Sequence, residues 1–519
     1  MSTNKSVAKS AGVIGLATLC SRILGFIRDV VIARIFGVYI YAQAFVIAFR
    51  IPNLLRDMVG EGATNAAFVP VFSEYLTRRS KEEFWELANV VLNLLLVALS
   101  LITVLGIILA PVIVRLIAPG FTADPHKLYT TIRLTQIIFP FILLVSLSAY
   151  CMGILNSLKH FALPAFAPCV LNICIIIFAL AFGEGIKGLA GGVLVGGVLQ
   201  LAIQIPLLYK KGFRPRLFRS FRHPGATTIR RLMLPRLASS CIYQLNNFVD
   251  SIFGSLAFIV GEGGVAVLYF AYRLIQFPLG VFSNALSQAI LPTMSTQALE
   301  DGCADLRCTL SWGLRASFFV LLPASVGLMV LAHPIVRGLF GGGRFDSYSV
   351  QLTSRVLFFY SLGLFAYGAK KILQSCFFAL KDTVTPTKIA ALSLVLNIIL
   401  NAVLMFPMKL AGLALATSIS GIITFFILFR LLERKLTDFN SGEVGISFVR
   451  ILLASICMGL VCYAISHRGM PADGTFLSRI VNLGFILFFG GVSYIVFCFI
   501  FRVSEMTELW KWVRRPRFK

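Results

Sequence analysis

The sequence predicts an all-α polytopic membrane protein of about fourteen transmembrane helices, arranged as two six-helix lobes related by an internal repeat plus two C-terminal helices. Three observations predict it. Hydrophobic residues make up 58% of the 519 and charged ones 13%, with a mean hydropathy of +0.87, a balance suited to lipid as solvent. The stretch 89–114 runs without a charge, longer than the about 20 apolar residues that a spanning helix needs. No lumen-and-lipid alternation is present, so the spans read as helices and not as a barrel.

Apolar windows between polar or Pro/Gly breaks place the spans in order at 10–35, 39–59, 88–116, 131–156, 162–183, 187–209, 232–259, 264–289, 312–333, 350–378, 386–407, 411–432, 446–466 and 477–501. The first follows Lys5 and Lys9, as a signal peptide would, but Arg22, Arg28 and Asp29 interrupt it, so it reads as a retained helix. After the second, Gly60-Glu61-Gly62 and residues 63–73 are too polar to span and are expected at the cytoplasmic mouth. Pro164, Pro168, Pro278 and Pro386 stand near span ends, as boundaries or hinges. Lys370 and Lys371 lie in the tenth span, either facing a cavity or snorkelling, and Gly341 to Arg344 reads as a turn before it.

The net charge of +25 sits in loops and tails. Eight basic residues and no acid fall between Lys210 and Arg231, and six more basic residues follow from Arg502 to Lys519. The positive-inside bias puts these segments and both termini in the cytoplasm, beside anionic headgroups, and argues against nucleic acid as a partner. Eleven cysteines without a Cys-x-x-Cys and five scattered histidines signal neither disulfides nor a metal.

An internal repeat organises the chain. Ala48-Phe49-Arg50 recurs as Ala271-Tyr272-Arg273, and Ala67 to Ser73 shares its pattern with Ala289 to Ser295. Leu158 to Pro164 matches Leu380 to Pro386, Val170 to Ile173 matches Val395 to Ile398, and Gly188-Leu189-Ala190 matches Gly412-Leu413-Ala414, all five at separations of 222 to 225 residues. Residues 1–225 and 226–440 are therefore expected as lobes, with 441–519 outside the repeat. Even span counts put the copies in parallel, the arrangement of transporters that bind substrate near the midplane and work by alternating access. A scaffold or receptor built from two fused halves is the plainer alternative.

Charges inside spans cost about 2.5–3.5 kcal/mol each on insertion scales, so they are expected to face a wet cavity or each other. Arg22, Gly25 and Asp29 share a helical face with Arg28 beside them; Arg50 and Arg56 follow in the second span, and the repeat sets Arg273 against Arg50 and Asp250 against Asp29. Arg22, Arg28, Arg56 and Arg273 against Asp29 and Asp250 leave two positive charges over, which suits a diphosphate gripped by guanidinium forks. The competing reading pairs Arg22 with Asp29 as a structural clip and lets Arg56 snorkel. Asn172 and its repeat mate Asn397 read as interhelical glue before ligands, while Asn397, Asn401 and Thr417 with Asp250 are candidate cation ligands. There is no nucleotide-binding loop, so an ion gradient or the membrane potential must drive any transport.

Ser21 to Asp29, Ala33 to Gly37, Pro52 to Arg56, Glu61-Gly62-Ala63, Ala67 to Pro70, Leu155-Asn156, Pro164 to Pro168, Leu171-Asn172, and Arg273-Leu274 with Phe277-Pro278 together resemble the MurJ (MviN) lipid II flippases. The resemblance covers the first twelve spans. It implies a fourteen-helix, two-lobe protein of the multidrug/oligosaccharidyl-lipid/polysaccharide exporter superfamily, in the bacterial inner membrane. Its implied work is to move lipid II, the undecaprenyl-diphosphate-linked peptidoglycan precursor, from the cytoplasmic to the periplasmic leaflet. Arg22, Arg28, Arg56 and Arg273 match the family's cavity arginines, Asp29 its first-helix acid and Glu61 its loop glutamate. Residues after about 440 would hold the lipid tail, and Asp250, Asn397, Asn401 and Thr417 resemble a family sodium site. No cofactor is implied; coupling to sodium, protons or the membrane potential is, as are membrane lipids and cell-wall synthesis proteins as partners. Gln43, Tyr272, Gln276 and Asn401 stand where relatives carry acids. Export of another polyprenyl-diphosphate-linked glycan, and a non-transporting cell-wall scaffold, are the alternatives.

Overall fold

The computed structural model describes residues 2–56, 68–183, 185–217, 220–300, 303–436, 439–468 and 475–506. Its helices in chain order are α1 (Ser2–Phe36), α2 (Ile40–Arg56), α3 (Val69–Arg78), α4 (Lys81–Ile117), α5 (Pro125–Ile138), α6 (Phe141–Ser157), α7 (Ala162–Phe182), α8 (Ile186–Ala202), α9 (Ile205–Lys210), α10 (Pro224–Ser255) and α11 (Ala257–Val260). There follow α12 (Gly264–Pro278), α13 (Asn284–Gln297), α14 (Ala304–Val330), α15 (Ala332–Leu339), α16 (Ser347–Leu362), α17 (Leu364–Ala379), α18 (Val384–Met408), α19 (Leu410–Leu436), α20 (Ser441–Arg468) and α21 (Phe476–Ile500).

Within the described residues, every predicted span falls on helix, while 57–59 of the second lie outside them. Among the described residues, ten helical stretches are long and apolar enough to cross a membrane, eleven if α16 and α17, bent by 41°, count as one. The three predicted spans outside that number are α1, α2 and α10, which carry Arg22, Arg28 and Asp29, Arg50 and Arg56, and Asp250 respectively. Side-chain caps start several helices. The Ser80 hydroxyl accepts from the Glu83 amide at 3.2 Å, and the Asp124 carboxylate accepts from the amides of His126 and Lys127 with Pro125 in the first turn. Pro164 and Pro386 sit in the first turns of α7 and α18, where a missing N–H costs nothing. Pro278 ends α12, and the chain reaches α13 through a π-helical turn at Leu279–Ser283.

The chain forms two compact units: Met1–Phe258 with Glu262–Ala266 and Gly343–Phe345, and Ile259–Gly261 with Val267–Gly342 and Asp346–Lys519. In the first, α3 packs on α4 and α6, α4 on α5 and α6, α5 and α6 on α8, and α7 on α8 and α1. In the second, α13 packs on α14 and α17, α14 on α16 and α17, α16 and α17 on α19, and α18 on α19, with α20 against α14 and α21. Apart from that of α7 on α1, each of these pairings in the first unit recurs in the second. The repeat is visible in the backbone too: Lys159 (φ 61°) and Lys381 (φ 60°) hold the same left-handed turn at equivalent positions. The first core centres on Phe68, Phe72, Phe84 and Tyr150, whose hydroxyl donates to the Ala88 carbonyl at 2.6 Å; the second on the ring cluster of Phe318, Phe365, Phe425 and Phe448.

Candidate functional site

In the first unit the intramembrane charges are held by named partners. Arg28 and Asp29 are 4% and 1% exposed, and the guanidinium donates from Nη2 at 2.8 Å and Nε at 3.1 Å to the same carboxylate oxygen. Nη1 donates to Asn172 Oδ1 at 3.1 Å, and the Phe49 ring lies 5.7 Å from the guanidinium carbon. Asn172 in turn donates to the carbonyls of Ser21 and Pro168, so it joins α7 to α1. Gly25 faces this amide: a Cβ there would come within 3.7 Å of it. A buried charge is tolerable only when paired and hydrogen-bonded, and this arrangement does both.

Asp29 therefore pairs with Arg28 and not with Arg22, which is exposed and makes no hydrogen bond or ion pair among the described residues. Arg50 on α2 donates from Nη1 to the hydroxyl of Ser251, a residue 1% exposed, and so ties α2 to α10; half-buried Asp250 is its chain neighbour. The Arg56 side chain and all of Glu61 lie outside the described residues. Gln43 is 1% exposed, and its amide nitrogen finds no hydrogen-bond partner among the described residues.

In the second unit Arg273 is oriented by its own helix. Tyr269 Oη accepts from Nη2 at 2.9 Å and Nε at 3.2 Å, Gln276 Oε1 accepts from Nη1 at 3.1 Å, and the Tyr269 ring lies 5.0 Å from the guanidinium carbon. Neither group cancels its charge. Tyr269 was not among the expected site residues, although its place one turn before Arg273 could have suggested it. Lys371 on α17 donates to Asn284 Oδ1 on α13 and so points inward among helices.

The candidate cation ligands divide between the units. Asp250 belongs to the first, and the second brings Asn397, Asn401 and Thr417 together between α18 and α19. Asn401 Nδ2 donates to Asn397 Oδ1 at 3.0 Å, Asn397 Nδ2 donates to Thr417 Oγ1 at 3.0 Å, and Thr417 donates to the Leu413 carbonyl. Two of the three oxygens already accept an amide proton; Asn401 Oδ1 alone is buried with no hydrogen-bond partner among the described residues. So arranged, these three neutral side chains form a polar seam bonded largely to itself.

A sequence profile described as Lipid II flippase MurJ matches residues 32–482. The chain belongs to the MurJ family of lipid II flippases. A probable lipid II flippase MurJ of Buchnera aphidicola subsp. Acyrthosiphon pisum is 35% identical over 504 residues, 96% of this chain and 98% of the relative. One from Haemophilus influenzae is 33% identical over 495 residues, 92% and 96% of the two chains. A solved MurJ in an inward closed conformation superposes with a TM-score of 0.79 at 29% identity, covering 95% of this chain and 99% of the other. An inward-facing multidrug transporter of the MATE family is similar in fold, with a TM-score of 0.67 at 16% identity over 81% of this chain and 96% of that one. Membership in the MurJ family and the apolar spans make this a multi-pass protein of the bacterial inner membrane and a transporter, not an enzyme. Arg22, Arg28 and Asp29 precede the profile match and fall inside α1.

Proposed function

We propose that this chain is a flippase that carries lipid II from the cytoplasmic to the periplasmic leaflet by alternating access. The family match over residues 32–482 carries the reading. Lipid II offers a diphosphate that must cross an apolar layer, and guanidinium forks replace the water those oxygens lose. Arg22, Arg28, Arg50, Arg56 and Arg273 are the proposed grips, with Gly25, Asp29 and Glu61 shaping the site. Exposed Arg22 supports a direct contact, the tyrosine and glutamine that orient the Arg273 guanidinium support a second, and the bonds of Arg28 to Asp29 and Asn172 support a fixed charged group behind them. Residues 441–519 are proposed to receive the polyprenyl tail and both termini to lie in the cytoplasm, which the surplus of Lys and Arg in the loop and tail supports. Membrane lipids and cell-wall synthesis proteins are the proposed neighbours.

The membrane potential is the proposed driving force, since an anionic headgroup moves outward with a negative interior at roughly 2.3 kcal/mol per charge per 100 mV. The neutral seam at Asn397 and Asn401 supports this over sodium or proton coupling. Purified protein in liposomes with labelled lipid II tests both claims. Transport should appear on imposing an inside-negative potential and persist when sodium is replaced by choline or the pH gradient is collapsed. In cells, depletion should remove lipid II from the reach of a periplasmic probe; undiminished access would end the proposal.

A further inference from the structure

The basic segment after α9 is not a loose tether. Arg216 donates its backbone N–H to Asn89 Oδ1 at 2.5 Å, and Asn93 Nδ2 donates to the carbonyls of Arg216 and Ser220, both at 3.1 Å. Both asparagines belong to α4 and are 8% and 1% exposed. Phe213 is buried with its ring 5.6 Å from that of Trp85, and Arg214 donates to the Tyr209 carbonyl while stacking at 5.3 Å over the Tyr209 ring. Backbone and aromatic anchors therefore present Lys210, Lys211, Arg214, Arg216 and Arg222 outward, all exposed.

The register on α4 gives the depth of this surface. Lys81, Glu82, Glu83 and Glu86 open the helix, and no further charge occurs until Arg115. At 37 residues α4 is about 55 Å long, against a hydrocarbon core of roughly 30 Å, so its charged start projects beyond the core. Asn89 and Asn93 stand where the charge stops, which holds the loop at headgroup level. Leu217 and Phe221, 56% and 42% exposed, are interleaved with the arginines, an apolar and cationic mixture that fits the boundary between headgroups and acyl chains.

We propose that residues 210–217 and 220–222, clipped to α4 by Asn89 and Asn93, form a preorganised binding surface for anionic phospholipid headgroups. Cations beside a membrane attract such lipids, and a backbone held in place spares the ordering that a disordered basic segment would undergo on binding. The surface shares no residue with the proposed lipid II grips, and its proposal stands whether or not that reading does.

The test uses the full chain in nanodiscs of phosphatidylcholine doped with a fluorescent phosphatidylglycerol, with energy transfer from a dye on the loop as readout. Local enrichment of phosphatidylglycerol should fall several-fold in Arg214→Gln/Arg216→Gln and weaken with salt. Asn89→Ala/Asn93→Ala retains every charge and should reduce the enrichment at least twofold. Thermal unfolding checks that each variant is folded, and Asn93→Asp, which still accepts but no longer donates, serves if the double variant is not. Enrichment unchanged in the arginine variant overturns the surface. Enrichment unchanged when the asparagines are lost overturns preorganisation, and single-stranded RNA competing as well as phosphatidylglycerol vesicles overturns the choice of partner.

Discussion

Arg28 and Arg273 are both arginines on predicted spans, yet their surroundings set different roles. Arg28 shares a buried ion pair with Asp29 and a third bond with Asn172, so removing the carboxylate alone leaves a charge among apolar neighbours. Asp29→Ala is expected to cost about 3–5 kcal/mol, the range for breaking one side of a buried pair, and to show as a lowered Tm and reduced membrane level. Arg273 rests on Tyr269 and Gln276 of its own helix. Arg273→Ala should accumulate normally and lose complementation, and normal growth with that variant would exclude it from the substrate path. The arginines themselves were legible because a charge in an apolar run is conspicuous. Their partners were not: helical spacing set Arg22 and Asp29 on one face and offered their pairing only as the competing reading, whereas the long Arg28 side chain folds back onto its immediate neighbour, a contact that spacing rules do not anticipate. The grouping of Asn397, Asn401 and Thr417 was legible from repeat position, but that they spend their hydrogen bonds on each other was not.

At the level of elements, hydropathy set eleven of the fourteen predicted spans on helices long and apolar enough to cross a membrane among the described residues, because an apolar window reports burial in lipid whatever the backbone does within it. For the same reason it missed the interruptions. Phe139-Pro140 divides α5 from α6 and Gly363 divides α16 from α17 inside unbroken apolar sequence. The glycine run at 341–343 was legible as a turn, but not what the turn touches. Gly343 (φ 59°) lies against the Arg34 carbonyl, where a Cβ would come to 2.3 Å, and Gly37 (φ 62°) faces the Arg344 carbonyl at 2.5 Å, while the Arg344 amide donates to Arg34 at 2.8 Å. Gly343→Ala combines left-handed backbone with a backbone clash and should lower Tm by several degrees; an unchanged Tm would mean the turn is not held this way. Between α17 and α18, Asp382 accepts from Lys435 Nζ at 2.8 Å and from the amide and hydroxyl of Thr385. The Lys435 hydrogen bond, with those of Thr385, holds its carboxyl at about 2. A depressed carboxylate stabilises the fold above its unfolded value of about 4 and loses that contribution as pH falls toward 2. Asp382→Asn should therefore lower Tm by the same amount from about pH 5 to pH 8, and a decrement that varied across that window would contradict the assignment.

For the whole molecule, duplication was the most legible feature, since five matches at near-constant separation required only the letters. The doubled set of helix pairings is its physical counterpart: two copies bury the same faces because they inherit the same apolar stripes. The two helices outside the repeat have no such template; they pack on α14 and on each other, and a further fastening lies beyond the last span. Glu505, 6% exposed, accepts from the Ser447 hydroxyl of α20 at 2.7 Å and lies 3.6 Å from Arg315 of α14, while Arg450 donates to the Arg502 carbonyl. Glu505→Ala should loosen the α20–α21 hairpin, read as faster hydrogen exchange at the ends of those helices with α4 to α8 unchanged. Equal exchange throughout would remove the fastening role. A chain stopped just after Ile500 would retain every membrane crossing, and reporter fusions would map its topology as intact. It would nonetheless lack the carboxylate shared by Ser447 and Arg315, so deletion mapping would assign to the final crossing a defect that begins in the short segment beyond it.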